Sequence, residues 1–404
     1  MTPPPTAAAG DPGEPGASSV ERLLVGLGRC RPGDLGDLVA EVAAHAWGAS
    51  DVVLHLITHE QTELVPVPAE HLHARGQQSL DSGPAGRCFV TEAQVREGAA
   101  LWTPVRHGAD RLGVLELVLP DDAPAATVDD VARVAQALGL ALSAHSRYGD
   151  HVEGVRRSQE MSLGAELLWS VLLPPTYASP GVSLSVLLEP TYSTGGDAYD
   201  YAVTGDTVHV LVLDAMGHGF PAASLSTIAI AAYRHSRRLG LDLAATAQAM
   251  DTLVAGSFET TFATAVLVEL DITTGRLTWV SAGHPEPLVV RGVGTDASRV
   301  ETLTSDPAPP LGVGAGLARP AVQEDFLEPG DVLVLYTEGV TEARHLDGSM
   351  VGEDGFAELV RRESDEEHSV AELTRRVRAR LLAAEDAWLS DDVTALLLRW
   401  QPEV

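Results

Sequence analysis

Four strand-length apolar runs in the second half of this 404-residue chain each begin or end at a carboxylate. Asp197 precedes the run Ala198 to Val203, and Asp214 directly follows Val208 to Leu213. Glu338 stands two residues beyond the end of Val332 to Tyr336, and Asp391-Asp392 opens Val393 to Trp400. A single acid at a strand end reads as a turn or capping residue. Four of them do not reduce to turn chemistry so easily. Carboxylates gathered at one edge of a sheet repel each other unless positive charge stands among them, and hard divalent cations take oxygen ligands of this kind. The pattern predicts a sheet-rich core with a metal site at the strand mouths.

Local sequence supports that placement at Asp214. Gly217 and Gly219 allow a tight turn that bends the backbone back over the carboxylate, and Pro221 suits the first turn of a following helix. Helical stretches are expected over Ala222 to Arg238 and Leu243 to Leu253, between further strands at Phe262 to Leu270 and Leu277 to Ser281.

The length exceeds one ordinary core, so two domains are expected. A formal net charge of -30 argues against nucleic-acid binding, which needs basic patches. No apolar run approaches the roughly 18 residues of a membrane helix. Cys30 and Cys88 lie far apart, in no metal-ligand spacing, and read as reduced thiols of a cytoplasmic protein. Residues 1–18, rich in Pro, Ala and Gly, read as a disordered tail and not a signal peptide.

From 19 to 147 the pattern is helix, strands, helix. Leu35, Leu38, Val39 and Val42 recur at helical spacing, Val52, Leu54 and Leu56 alternate, and Val131, Val134, Ala135 and Leu138 share a helix face. Ser82-Gly83-Pro84-Ala85-Gly86-Arg87, Val95-Arg96-Glu97 and the strand from Arg111 to Leu117 give this part its similarity to a GAF domain, a small sensor fold. Two readings are open for it: a module that binds a small-molecule ligand, and a purely structural or dimerising one. Residues 148–173 read as a linker, with one helix from His151 to Leu173 that Pro174-Pro175 ends. Its stripe Met161, Ala165, Leu168 and Leu172 fits either packing on its own domain or a homodimer stalk.

Residues 174–404 resemble a known catalytic family. Asp197, Asp214, Tyr336-Thr337-Glu338-Gly339 and Asp391-Asp392 match, in order, the motifs of the SpoIIE/RsbU-like branch of metal-dependent (PPM-type) serine/threonine phosphatases. Leu172-Leu173-Pro174, Phe262-Ala263-Thr264-Ala265, Ala282-Gly283-His284-Pro285, Pro310-Leu311-Gly312 and Pro329-Gly330-Asp331 match as well, so the similarity runs from about Met161 to Trp400. The resemblance implies an α+β chain: a GAF-like α/β sensor, a helical linker, and an αββα sandwich carrying two manganese or magnesium ions. By the same resemblance, Asp214 bridges both ions, Asp197 and the Ala215 carbonyl hold one, and Glu338 with Asp391 the other, so that Asp197, Asp214 and Asp391 carry catalysis. It also implies a phosphoserine or phosphothreonine substrate on a partner protein, commonly an anti-sigma-factor antagonist.

The chemistry agrees with those residue types. Bare carboxylates reject a phosphate ester, whereas two cations about 3.5–4 Å apart cancel that charge and acidify a bridging water. No cysteine nucleophile is needed. Glu338 is a departure, because the family usually has aspartate there, and Ser281 stands where asparagine is common. Glu338 leaves open a catalytically weak phosphatase-fold regulator that acts by protein binding, and a phosphatase for small phosphoesters is a third reading. His218 reads as a turn-shaping residue and His284 as one that satisfies backbone groups at a strand end, neither as a general acid, and Asp200, Glu342 and Asp392 read as supporting or solvated residues, not direct ligands.

Overall fold

A computed structural model describes residues 18–402 except 70–75, 147–148, 194, 259, 314–319, 345–347, 366–367 and 383–390. The chain divides into two compact units, Met1–Ser158 and Gln159–Val404. Of the tail expected over 1–18, only Ser18 lies among the described residues, where its side chain accepts from the Glu21 N–H and caps the first helix.

The first unit runs α1 (Ser19–Leu27), α2 (Leu35–Trp47), β1 (Asp51–Ile57), β2 (Glu63–Pro66), β3 (Gln78–Ser79), α3 (Gly83–Thr91), β4 (Val95–Glu97), β5 (Ala100–His107), β6 (Asp110–Val118), α4 (Ala125–His145) and α5 (His151–Arg156). Its sheet has the order β3-β2-β1-β6-β5-β4. Period-two alternation decides the faces. Val52, Leu54 and Leu56 of β1 bury against Leu23, Val39 and Leu138 of α1, α2 and α4. Ile57 and Val114 face the other way, onto Ala85, Cys88 and Phe89 of α3. His55 is buried and pairs with Glu116 at 2.9 Å.

The single helix expected from His151 to Leu173 is corrected: two helices stand there. The first, α5, closes at Arg157, whose backbone is extended. The second, α6 (Leu163–Val171), starts afresh at Ser162, whose side chain accepts from the Ala165 N–H. Leu172 is extended and ends the helix two residues ahead of Pro174. Met161 and Leu172 therefore lie outside the helix, while Leu168 is buried in the second unit's own core. The stripe therefore does not lie on one continuous helix.

The second unit continues with β7 (Thr176–Ser179), β8 (Gly181–Glu189), β9 (Asp197–Thr204), β10 (Thr207–Ala215), α7 (Phe220–Arg238), α8 (Leu243–Ser257), β11 (Ala263–Asp271), β12 (Arg276–Ala282), β13 (Leu288–Arg291), β14 (Arg299–Thr302), β15 (Gln323–Phe326), β16 (Val332–Tyr336), α9 (Glu338–Glu342), α10 (Gly352–Glu363), α11 (Val370–Leu381) and β17 (Val393–Gln401). Two antiparallel sheets result, β15-β12-β11-β10-β9 and β14-β13-β16-β17-β8-β7. Strands apolar on both faces are what two stacked, helix-covered sheets need. Val210, Val212 and Val268 of one sheet meet Leu184, Leu335 and Leu396 of the other in the middle layer. On the outer faces, α7 and α8 cover Leu211 and Leu267, and α10 and α11 cover Val334 and Leu397. The layers are thus helix, sheet, sheet, helix.

Candidate metal centre

The β9–β10 ladder sets Asp197 directly opposite Asp214. Asp197 is the first residue of its strand and Asp214 the penultimate residue of the next, so both stand at one end of the sheet. Beyond Asp214 the chain turns through Gly217 (φ 94°) and Gly219 (φ 71°), left-handed conformations that favour glycine. Ala215 donates its N–H to Gly196 O (3.3 Å), and Met216 donates to Phe262 O (2.9 Å), so the turn is held on both sides. Close approach also explains Gly195 and Gly196. A Cβ at Gly195 would stand 2.3 Å from Gly219 N, and one at Gly196 would stand 2.7 Å from Ala215 O.

The second sheet delivers its acids to the same place. Asp392, ahead of β17, accepts at Oδ2 from the N–H groups of Gly195 (2.9 Å), Gly196 (2.8 Å) and Asp197 (3.2 Å). Thr337, after β16, donates its hydroxyl to Asp197 Oδ2 at 2.7 Å. Gly339 lets α9 pass β17, since a Cβ there would fall 1.9 Å from Asp392 O. Glu338 and Asp391 are exposed at the rim.

Charge crowding shows in the titration of the inner pair. Burial, then the charges of Asp214 and Asp392, push Asp197 well above the usual carboxylate range, with Thr394 and Thr337 pulling the other way. Burial, then Asp391, Asp392 and Glu338, push Asp214 up to about 6. Asp200 on the same strand is treated differently. It is fully buried, and Arg234 (2.6 Å) and Arg237 (3.2 Å) neutralise it from α7. Among the described residues no ion pair of this kind reaches Asp197, Asp214, Glu338, Asp391 or Asp392.

An all-oxygen, uncompensated donor set fits magnesium or manganese. The acids are gathered but not closed into a cage: among the described residues no three Asp, Glu, His or Cys side chains stand as a ready-made ion site.

His218 is exposed in the turn. His284 is buried just after the end of β12: Thr264 of β11, the cross-strand partner of Asp214, meets its Nδ1 at 2.9 Å. Ser281 accepts from the His284 N–H and donates to its carbonyl. Burial holds this imidazole down at about 3, so it is neutral at ordinary pH, and the nearby Tyr336 main chain opposes that only in part. Asp200 serves the α7 contact and not the acidic cluster. Thr337 and Thr394 were not singled out by the sequence reading; the one available signal was a hydroxyl residue flanking each acidic motif of the second sheet.

Residues 204–401 match the family model described as Stage II sporulation protein E (SpoIIE). The second unit is a SpoIIE-family domain. Asp214, Glu338 and Asp391 fall inside the matched segment, and the strand register brings Asp197 to them from just before it. The chain is 28% identical over 153 residues to the phosphoserine phosphatase RsbP of Bacillus subtilis, covering 36% of each protein. With the phosphoserine phosphatase RsbU of the same organism it shares 26% over 211 residues, 50% of this chain and 59% of RsbU. It therefore spans only part of the length of these relatives. Among solved structures, the RsbU and RsbW domains of Rv1364c from Mycobacterium tuberculosis align at 28% identity and a TM-score of 0.47, over 56% of this chain and 61% of theirs.

Proposed function

We propose that the SpoIIE-family domain is a divalent-metal-dependent protein phosphatase that hydrolyses phosphoserine or phosphothreonine on a partner protein. The observation that carries this reading is the acidic cluster, which no cationic side chain among the described residues pairs, while Asp200, three residues along from Asp197 on the same strand, receives two. Asp214 is assigned to both of two manganese or magnesium ions, Asp197 with the Ala215 carbonyl to one, and Glu338 with Asp391 to the other. When bound, such ions neutralise a phosphate ester and supply an acidified water for in-line attack at phosphorus.

The chain's own part is to hold and aim these oxygens. Gly195 and Gly196 let the Asp214 turn close onto the mouth of β9, and Gly339 lets the Glu338 helix reach the Asp391 edge. His284, neutral and tied to Thr264, packs the neighbouring strand end and is assigned no proton transfer. The partner is proposed to be an anti-sigma-factor antagonist, by analogy with the sigma-regulatory setting of the family. The first unit is proposed to be a GAF-like sensor that biases the phosphatase, in a cytoplasmic protein. Among the described residues no helix is long and apolar enough to cross a membrane.

The test is phosphate release from a phosphoserine-bearing partner protein with manganese, with magnesium and with chelator. Wild type is expected to release phosphate only with metal, and folded Asp214→Ala and Asp391→Ala to stay at the chelated level. Metal-independent release, or full activity in both variants, contradicts the reading. A folded wild type inactive in every arm favours the regulator that works by binding alone.

A further inference from the structure

Asp197 is the first residue of its strand and is buried among like charges. Its side chain is held from the opposite sheet. Thr337 is anchored there by its own main chain, donating its N–H to Thr394 O at 3.0 Å. The Thr337 hydroxyl accepts from the Thr394 N–H at 3.0 Å and has one proton to give. That proton goes to Asp197 Oδ2 at 2.7 Å. With Asp197 ionised, its oxygen can only accept this bond. The main chain before Asp197 is held in the same way, because one Asp392 oxygen takes three consecutive N–H groups, from Gly195 to Asp197. That oxygen is already committed to the backbone.

We infer that Thr337 and Asp392 are positioning residues for Asp197, aiming its carboxylate at the cation site from the second sheet without touching substrate. This rests on the reading of the acidic cluster as a metal centre. Supporting hydrogen bonds to a ligating carboxylate orient it and tune affinity, so their loss acts on metal binding before it acts on turnover.

The experiment counts manganese bound by the full chain, by electron paramagnetic resonance of the free ion without substrate. Phosphate release against manganese concentration and thermal melting in chelator accompany it. Thr337→Val keeps the side-chain shape and removes the donor; Thr337→Ser keeps the donor. Thr337→Val is expected to weaken manganese binding about tenfold or more, with kcat at saturating metal within about threefold of wild type. Thr337→Ser is expected to bind as wild type does. If Thr337→Val does not fold, Thr337→Ala carries the same expectation.

A merely structural role lowers the melting temperature of the valine variant and leaves manganese affinity alone, which overturns the inference. Equal loss in the serine and valine variants overturns it too. Wild type that binds no manganese overturns the metal-centre reading itself, and the positioning role falls with it.

Discussion

Arg234 holds the fully buried Asp200 at 2.6 Å, a neutralising contact that Asp197, three residues earlier on the same strand, lacks among the described residues. The same guanidinium donates to Val171 O at the end of α6, so one residue of α7 joins a buried charge to a helix terminus. Removing one partner from such a pair leaves an uncompensated charge inside the protein. Arg234→Met is expected to cost about 3 kcal/mol in urea unfolding, the low end for a broken buried pair because Arg237 remains. A cost within experimental error contradicts this assignment.

The acidic cluster should behave oppositely in metal-free protein. At neutral pH and above, ionised Asp214 is unfavourable in the fold, because its carboxyl is pushed up to about 6 from an ordinary 3.8. Asp214→Asn is expected to raise stability in chelator by about 1–3 kcal/mol at pH 8. It should also abolish the manganese-induced rise in melting temperature that ligand linkage gives the wild type. A less stable variant in chelator contradicts the electrostatic argument.

Acid sensitivity should trace in part to His284. Its imidazole is held near 3 in the fold against 6.5 in the open chain. Between those values the unfolded chain takes up a proton that the folded one refuses. Stability from this group is therefore complete above pH 6.5 and falls as pH drops, by about 1.4 kcal/mol per unit. Asp214 has the opposite sign, gaining stability as pH falls from about 6 toward 3.8, so the net slope is not diagnostic. The difference between wild type and His284→Gln in chelator is. It should shift in favour of the variant by about 1–2 kcal/mol between pH 7 and 5. A constant difference contradicts the burial argument.

Glu338 is exposed as the first residue of α9, one methylene longer than an aspartate there. Magnesium tolerates altered ligand geometry less well than manganese-type sites do. Glu338→Asp is expected to keep or raise phosphate release, with the larger gain in magnesium. Complete loss of activity contradicts the placement of this residue at the metal.

Much of this was legible in the sequence because apolar continuity and acid placement are local signals. The runs ending in Asp214 and opening at Asp391 correspond to β10 and β17, and alternation in Val52, Leu54 and Leu56 marks the core face of β1. The helix at 151–173 was misread because the chain breaks between Arg157 and Ser162, where a new cap outweighs the periodicity. The support of Asp197 by Thr337 and Asp392 was hidden for another reason. Those contacts join residues 140 and 195 positions apart, and nothing in local propensity encodes which threonine proton meets which carboxylate.

The most direct measurement is the number of manganese ions bound per folded chain at saturation, wild type beside Asp214→Ala. Two ions on the wild type and a loss of tight binding in the variant are predicted. A folded wild type that binds none, or a variant that still binds two with unchanged affinity, contradicts the account.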